Sequence, residues 1–205
     1  MKYSFLTGSI ALSLLVACTQ SPTGPLPVLG VPHLSPSGDT VEYAIPDFGF
    51  TDQDSQAVTQ ATVAGKIVVA DFFFTYCPSI CPKMKEQLVR VYEKFQADDR
   101  IVILSHTIDP AHDSVATLRE YASALGVESR RWHFLTGERD SLHAMAKHYM
   151  ISAAVEASAP GGYIHSGAFI LLDPQRRVRG YYDGTSAEEV DKLMRDIGRL
   201  LDEKP

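Results

Sequence analysis

The sequence predicts an α/β sandwich built on a mixed central sheet. Three observations carry this. Ile67 to Phe74 is an apolar run broken only by Asp71. It is short and rich in β-branched and aromatic residues, as in a strand buried on both faces. Four later segments repeat apolar residues at helical spacing. Further short apolar runs separate them, giving the order β-α-β-α-β-α-β-β-α, which implies helices packed on a sheet.

In chain order, the first stretch, MKYSFLTGSIALSLLVACTQ, reads as a secretory signal. Lys2 is its charged start, and an apolar core runs from about Ile10 to Ala17. That core is too short for a membrane-spanning helix. It ends in Leu15-Val16-Ala17-Cys18, which resembles a bacterial lipobox; in such proteins the signal is removed and the cysteine becomes the lipidated N-terminus. An ordinary signal with an incidental cysteine is the alternative. Residues 18–40 carry Pro22, Pro25, Pro27, Pro32 and Pro36 among Gly and Ser. Such a segment reads as an extended spacer without a core, able to reach ~60 Å at ~3 Å per residue. The division expected is therefore 1–17 signal peptide, 18–40 lipidated tether and 41–205 folded domain, placed in the bacterial cell envelope.

The folded part opens with AIPDFGFTDQDSQAVT, an added hairpin with its turn at Asp52 to Ser55. The strand Ile67–Phe74 follows. After it, Met84, Leu88, Val91 and Phe95 share one helical face. Ile101 to Leu104 is a strand, and Leu118, Tyr121, Ala122 and Leu125 mark a second helix. Trp132 to Leu135 is a short strand. Asp140 is placed to cap a helix bearing Leu142, Met145, Ala146 and Tyr149. Ala168 to Leu172 is a strong strand that turns at Asp173-Pro174 into a hairpin partner, Val178 to Tyr182. Ser186 to Glu189 reads S-x-x-E, a capping box, before a last helix with Val190, Leu193, Met194, Ile197 and Leu201 inward.

With 45% hydrophobic and 21% charged residues in 205, the chain can bury a core and is not disordered. A formal net charge of -6 argues against nucleic acid or anionic lipid as a ligand.

Chemistry concentrates in DFFFTYCPSICPKM, residues 71 to 84. The chain has three cysteines. If Cys18 carries lipid, one pair remains, Cys77 and Cys81, in a compartment where disulfides persist. Cys77 follows the first central strand and is expected where a helix begins, a favoured place for sites in α/β sheets. A helix start favours thiolate over thiol, and Lys83 and Lys85 would add to this if they point back. C-x-x-x-C puts the second cysteine about one helical turn on, so that both sulfurs can face one point. Two soft thiolates suit Cu(I), zinc or an iron-sulfur centre. They complete no tetrahedral site, so a third ligand must come from elsewhere. A plain disulfide is the alternative, although so short a loop constrains the unfolded chain little.

Candidate third ligands are His33, His106, His112, His133, His143, His148 and His165. Spacing separates them only slightly. His165, in APGGYIHSGAFILLD, is expected on a turn just before the strongest C-terminal strand.

Together, TYCPSICPKM, TIDPAHD and YIHSGAFILLDPQRRVRGYYDGT resemble the Sco/SenC family from about Ala44 to Leu201. These are thioredoxin-like, membrane-tethered copper proteins of the bacterial envelope and the mitochondrial inner membrane. The resemblance implies a thioredoxin-like three-layer sandwich with an added N-terminal hairpin. It implies one copper per domain, Cu(I) or Cu(II), held by Cys77, Cys81 and His165. It implies delivery of copper to, or reduction of thiols at, the binuclear copper centre of cytochrome c oxidase. Partners would be the copper-site subunit of the oxidase, a second copper chaperone or thiol reductant, and the membrane through the lipid anchor. Asp109 and Asp113, in a D-P-x-x-D loop, would serve the site through orientation or partner docking, or only through turn formation and capping. The chain departs from the commoner pattern at Ile164, where many members have Asp, and at Ser55, where many have Gly. Asp71 stands where thioredoxins carry a buried aspartate. A buried carboxyl with a raised pKa is suited to accept a proton during thiol exchange, or it only hydrogen-bonds in the core.

The leading expectation is thus a copper-binding assembly factor and not a turnover enzyme. The second is an envelope thiol-disulfide oxidoreductase acting on protein cysteine pairs through Cys77 and Cys81. Peroxide reduction and a redox or copper sensor are further alternatives that no residue singles out.

Overall fold

The run around Asp71 forms the centre of the sheet because every residue of it is buried, on both faces. The structure is a computed structural model that describes residues 24–156, 158 and 163–203, without the side chains of 154, 155, 164 and 165. Its elements are β1 (His33–Leu34), β2 (Thr40–Val41), β3 (Gly49–Thr51), β4 (Ala57–Thr59), β5 (Ile67–Phe73), α1 (Cys81–Phe95), β6 (Ile101–Thr107) and α2 (Val115–Leu125). Then come β7 (Trp132–Leu135), α3 (Arg139–His148), β8 (Ala153–Val155), β9 (Tyr163–His165), β10 (Ala168–Leu172), β11 (Val178–Asp183) and α4 (Ala187–Asp202).

The central sheet has the order β11-β10-β5-β6-β7. β5, β6 and β7 are parallel, and β10 runs antiparallel to both β5 and β11. The sheet is mixed, as expected. Strand alternation sorts the core into two layers. Asp71 and Phe73 face α1 and α2, where Phe73 meets Tyr121 of α2 at 5.5 Å between ring centroids. Arg90 of α1 binds Asp191 of α4, so α4 joins that side. Phe72 and His106 face the other side, against Tyr149 after α3 and Phe50 of the hairpin.

The added hairpin, β3 with β4, turns through Asp52 to Ser55 as predicted. Ser55 takes a left-handed φ of 62°, the conformation that favours glycine. Buried Asp52 and Gln53 fasten this hairpin to β7, through Asp52 to His133 and Gln53 to the backbone of Trp132 and Phe134. The final helix is capped by Ser186, which accepts from Glu189 N–H. The third helix is capped by Glu138 and not Asp140: Asp140 lies in the first turn and donates its own N–H to Glu138.

Part of the expected tether packs against the folded body. Leu26 is buried, its N–H donates to Glu203, and its carbonyl accepts from Arg179 Nη2 at 2.6 Å. Leu29 N–H donates to Val178 O at 2.8 Å, along the open edge of β11. Further on, Ile45 N–H donates to Arg176 O. Proline content marks a segment that builds no core of its own, yet an extended segment is also what an unpaired strand edge accepts. Residues 26–29 are therefore docked, while residues 31–39 stay largely exposed, with β1 paired to β2. Cys18 and the expected signal lie outside the described residues. This docked segment lies at the start of β11, the end of the sheet opposite the Cys77 turn.

Candidate metal centre

β5 ends at Phe73, and the chain turns at once, with Cys77 N–H donating to Phe74 O at 3.3 Å. Asp113, fully buried, holds that turn. It accepts from Thr75 N–H at 3.2 Å, from Thr75 Oγ1 at 2.5 Å and from Thr107 Oγ1. Asp109 accepts from Tyr76 Oη at 2.6 Å, and the Tyr163 hydroxyl is its second phenolic partner. Both aspartates thus hydrogen-bond to the turn that leads into Cys77. Ser114, not Asp113, caps α2.

Helix α1 begins at Cys81, four residues after Cys77. Cys77 lies in the irregular turn before it, so the thiols do not share a helical turn. Pro82 and the preceding turn explain this, since proline suits the first turn of a helix but cannot extend one backwards. Lys83 is exposed, and Lys85 Nζ lies over the Tyr121 ring at 5.5 Å.

Cys77 and Cys81 are both buried. They hydrogen-bond to each other, and Cys77 Sγ is 3.5 Å from Ser79 Oγ. Burial pushes the Cys77 thiol up, but hydrogen bonds from Cys81, Ser79 and the backbone outweigh it and leave it below its ordinary value. Cys81 is held far above its ordinary value, first by burial and then by donating to Cys77. The pair is therefore asymmetric: Cys77 ionises first, and Cys81 supplies the proton that stabilises it. Two soft sulfurs, one of which ionises more readily than the other, are a donor set that fits a soft metal ion.

His165 ends strand β9 and does not lie on a turn; its Cα partner in the hairpin is Ala153. That hairpin, β8 with β9, is absent from the predicted order, because its strands are three residues each and lack apolar alternation. Its path brings it to the thiol turn. Tyr163 and Phe74 have ring centroids 5.4 Å apart, and a Cβ on Gly167 would stand 3.4 Å from Ile80, the residue before Cys81.

Four of the other described histidines are engaged elsewhere. His133 pairs with Asp52 at 2.9 Å, His143 with Ile108 O at 3.0 Å, and His148 with Tyr43. His106 is fully buried among aromatic rings. His33 is on exposed β1. His112 does lie beside the thiol turn, its ring 4.3 Å from that of Tyr76. Sequence reasoning missed Thr75, Tyr76 and Tyr163. A tyrosine one residue before Cys77 and another two residues before His165 were the available signal.

Asp71 is buried, and Ser105 Oγ donates to it while Trp132 Nε1 donates to Ser105 at 2.8 Å. Burial pushes its carboxyl up to about 7, against a smaller opposing effect of Ser105. Asp71, Cys81, Lys85 and Tyr121 line a common cavity of about 10 Å³.

Comparison with known proteins agrees with this fold. A family model described as SCO1/SenC matches residues 37–202. The SCO1 protein homolog of Bacillus subtilis (strain 168) is 28% identical over 161 residues, covering 78% of this chain and 83% of that protein. A SCO1/SenC family lipoprotein from Bacillus anthracis str. Ames superposes with a TM-score of 0.70 at 25% identity, over 78% of this chain and 95% of that one. BsSco, described as a member of the Sco family of cytochrome c oxidase assembly proteins with a disulfide switch, gives 0.69 at 26%, over 79% and 95%. Yeast Sco1 with copper bound gives 0.59 at 26%, over 76% and 88%. The fold is the thioredoxin-like α/β sandwich of these neighbours.

Proposed function

The chain belongs to the SCO1/SenC family, and from that premise we propose that it is a membrane-tethered copper-binding protein. It delivers copper to, or keeps reduced the thiols of, the binuclear copper site of cytochrome c oxidase. The observation that carries this reading is the asymmetric pair Cys77 and Cys81, brought against the strand that ends at His165. Cys77, Cys81 and His165 would hold one copper. Thiolates suit Cu(I), and an imidazole lets the same site take Cu(II). An open site of three protein ligands would release its ion to a partner by ligand exchange.

Anchoring through Cys18 would keep the domain in the bacterial cell envelope, in the periplasm or on the outer face of the membrane. The relative from Bacillus anthracis is itself called a lipoprotein, which supports this. Besides the copper-site subunit of the oxidase, partners would be a copper chaperone or a thiol reductant.

A second reading, a thiol-disulfide oxidoreductase, is favoured by one observation. Asp71 lines the same small cavity as Cys81 and is poised near neutral pH to take its proton. Copper titration of the reduced protein separates the two. One copper bound with thiolate-to-Cu(II) absorption, weakened in His165→Ala, supports the first. Efficient disulfide exchange without stoichiometric copper binding refutes it.

A further inference from the structure

Hairpin β8–β9 is a two-stranded unit outside the central sheet. Hairpins of this size are not stable alone and need outside ties to hold a position. The ties to the thiol turn converge on one carboxylate. Asp109 is buried at the end of β6 and accepts from Tyr76 Oη at 2.6 Å; Tyr76 directly precedes Cys77. The same carboxylate engages the hydroxyl of Tyr163, two residues before His165 on β9. Phe74 lies between the two tyrosines, 5.0 Å from the Tyr76 ring and 5.4 Å from that of Tyr163. Tyr76 is 42% exposed, so burial does little to fix its ring. The hydrogen bond to a charged acceptor does that work.

We propose that Tyr76, Asp109 and Tyr163 form a strap that sets the distance between the dithiol turn and the His165 strand, making the two tyrosines positioning residues of the metal site. The inference rests on the copper reading given above. Its physical basis is that ligands from separate segments bind one ion well only if their separation is fixed beforehand, which is the task of hydrogen bonds behind the ligands. Asp109 is suited to this because a buried carboxylate takes several donors at once, and its two phenols come from two different segments.

The test compares Tyr76→Phe and Tyr163→Phe with Tyr181→Phe, whose hydroxyl donates to Tyr149 O instead. Phenylalanine keeps the ring and deletes only the hydroxyl. In the reduced, metal-free protein, amide exchange at residues 163–167 is expected to rise several-fold in the first two variants and not in the third. With copper, the first two are expected to bind roughly tenfold more weakly, the usual effect of losing an outer partner, with a shifted thiolate-to-Cu(II) absorption. Unchanged exchange and unchanged spectra in both would overturn the strap. If the parent protein binds no copper, the copper reading falls, while the exchange measurement still decides the strap.

Discussion

Asp71 and His106 sit one register step apart on neighbouring strands, Asp71 opposite Ser105 and His106 opposite Phe72, and point to opposite faces of the sheet. Both are buried, and burial disfavours the charged form of each, the carboxylate of one and the imidazolium of the other. Burial pushes the His106 imidazole down to about 3, and neither ring nitrogen has a partner among the described residues. Burial likewise lifts Asp71 to about 7.

Their pH effects on stability are opposed. At pH 5 the unfolded chain binds a proton on His106 that the folded chain refuses, so stability falls on acidification. The folded chain holds a proton on Asp71 that the unfolded chain has lost, so stability rises on acidification. Each slope is about 1.4 kcal/mol per pH unit, and they cancel between about 4.5 and 6.5. Asp71→Asn unmasks the histidine: urea unfolding of the variant should lose about 2 to 3 kcal/mol across that range, where the parent is nearly flat. Parallel pH profiles for the two proteins would refute the pairing.

The thiols should react unequally. Cys77, held below its ordinary value, should alkylate first, and Cys81, held above it, should stay protected. Mass spectrometry of Cys81→Ser and Cys77→Ser reads this directly. Cys81→Ser is expected to react at least about tenfold faster with iodoacetamide near pH 7. Equal rates would contradict the asymmetry.

Arg179 should govern the docking of the N-terminal segment. Its buried guanidinium binds Asp173 at 3.0 Å, Glu203 at 2.9 Å and the carbonyls of Leu26 and Pro27. Arg179→Ala leaves the buried Asp173 carboxylate short of a partner, at a cost of about 3 kcal/mol. It should also open residues 24–45 to proteolysis. A stable variant with the parent digestion pattern would show that the clamp is not needed.

Ser55 is the strained point of the added hairpin. Its left-handed backbone, with Asp52 Oδ1 accepting from the N–H groups of Asp54 and Gln56 around it, suits glycine better. Ser55→Gly should raise stability by about 1 kcal/mol, measured as a higher urea midpoint with unchanged slope.

What the amino-acid sequence determined by itself was periodic or contiguous. The buried strand around Asp71, the four amphipathic helices, the C-terminal hairpin, the Ser186 cap and the dithiol were legible because alternation, helical spacing and cap chemistry are local properties. The choice of His165 as a proposed third ligand rests on the likeness of three short motifs. Tertiary structure decided what depends on distant partners. It docked the Pro-rich segment after Gly24, because an open strand edge and Arg179 supply acceptors and donors that composition cannot reveal. It split two cysteines of equal local chemistry into one favoured and one disfavoured thiolate, because burial and the bond between them differ at each sulfur. It gathered Tyr76 and Tyr163 onto Asp109, from three segments far apart in the chain. Such convergence follows from the packing of the sheet, and no window of sequence contains it.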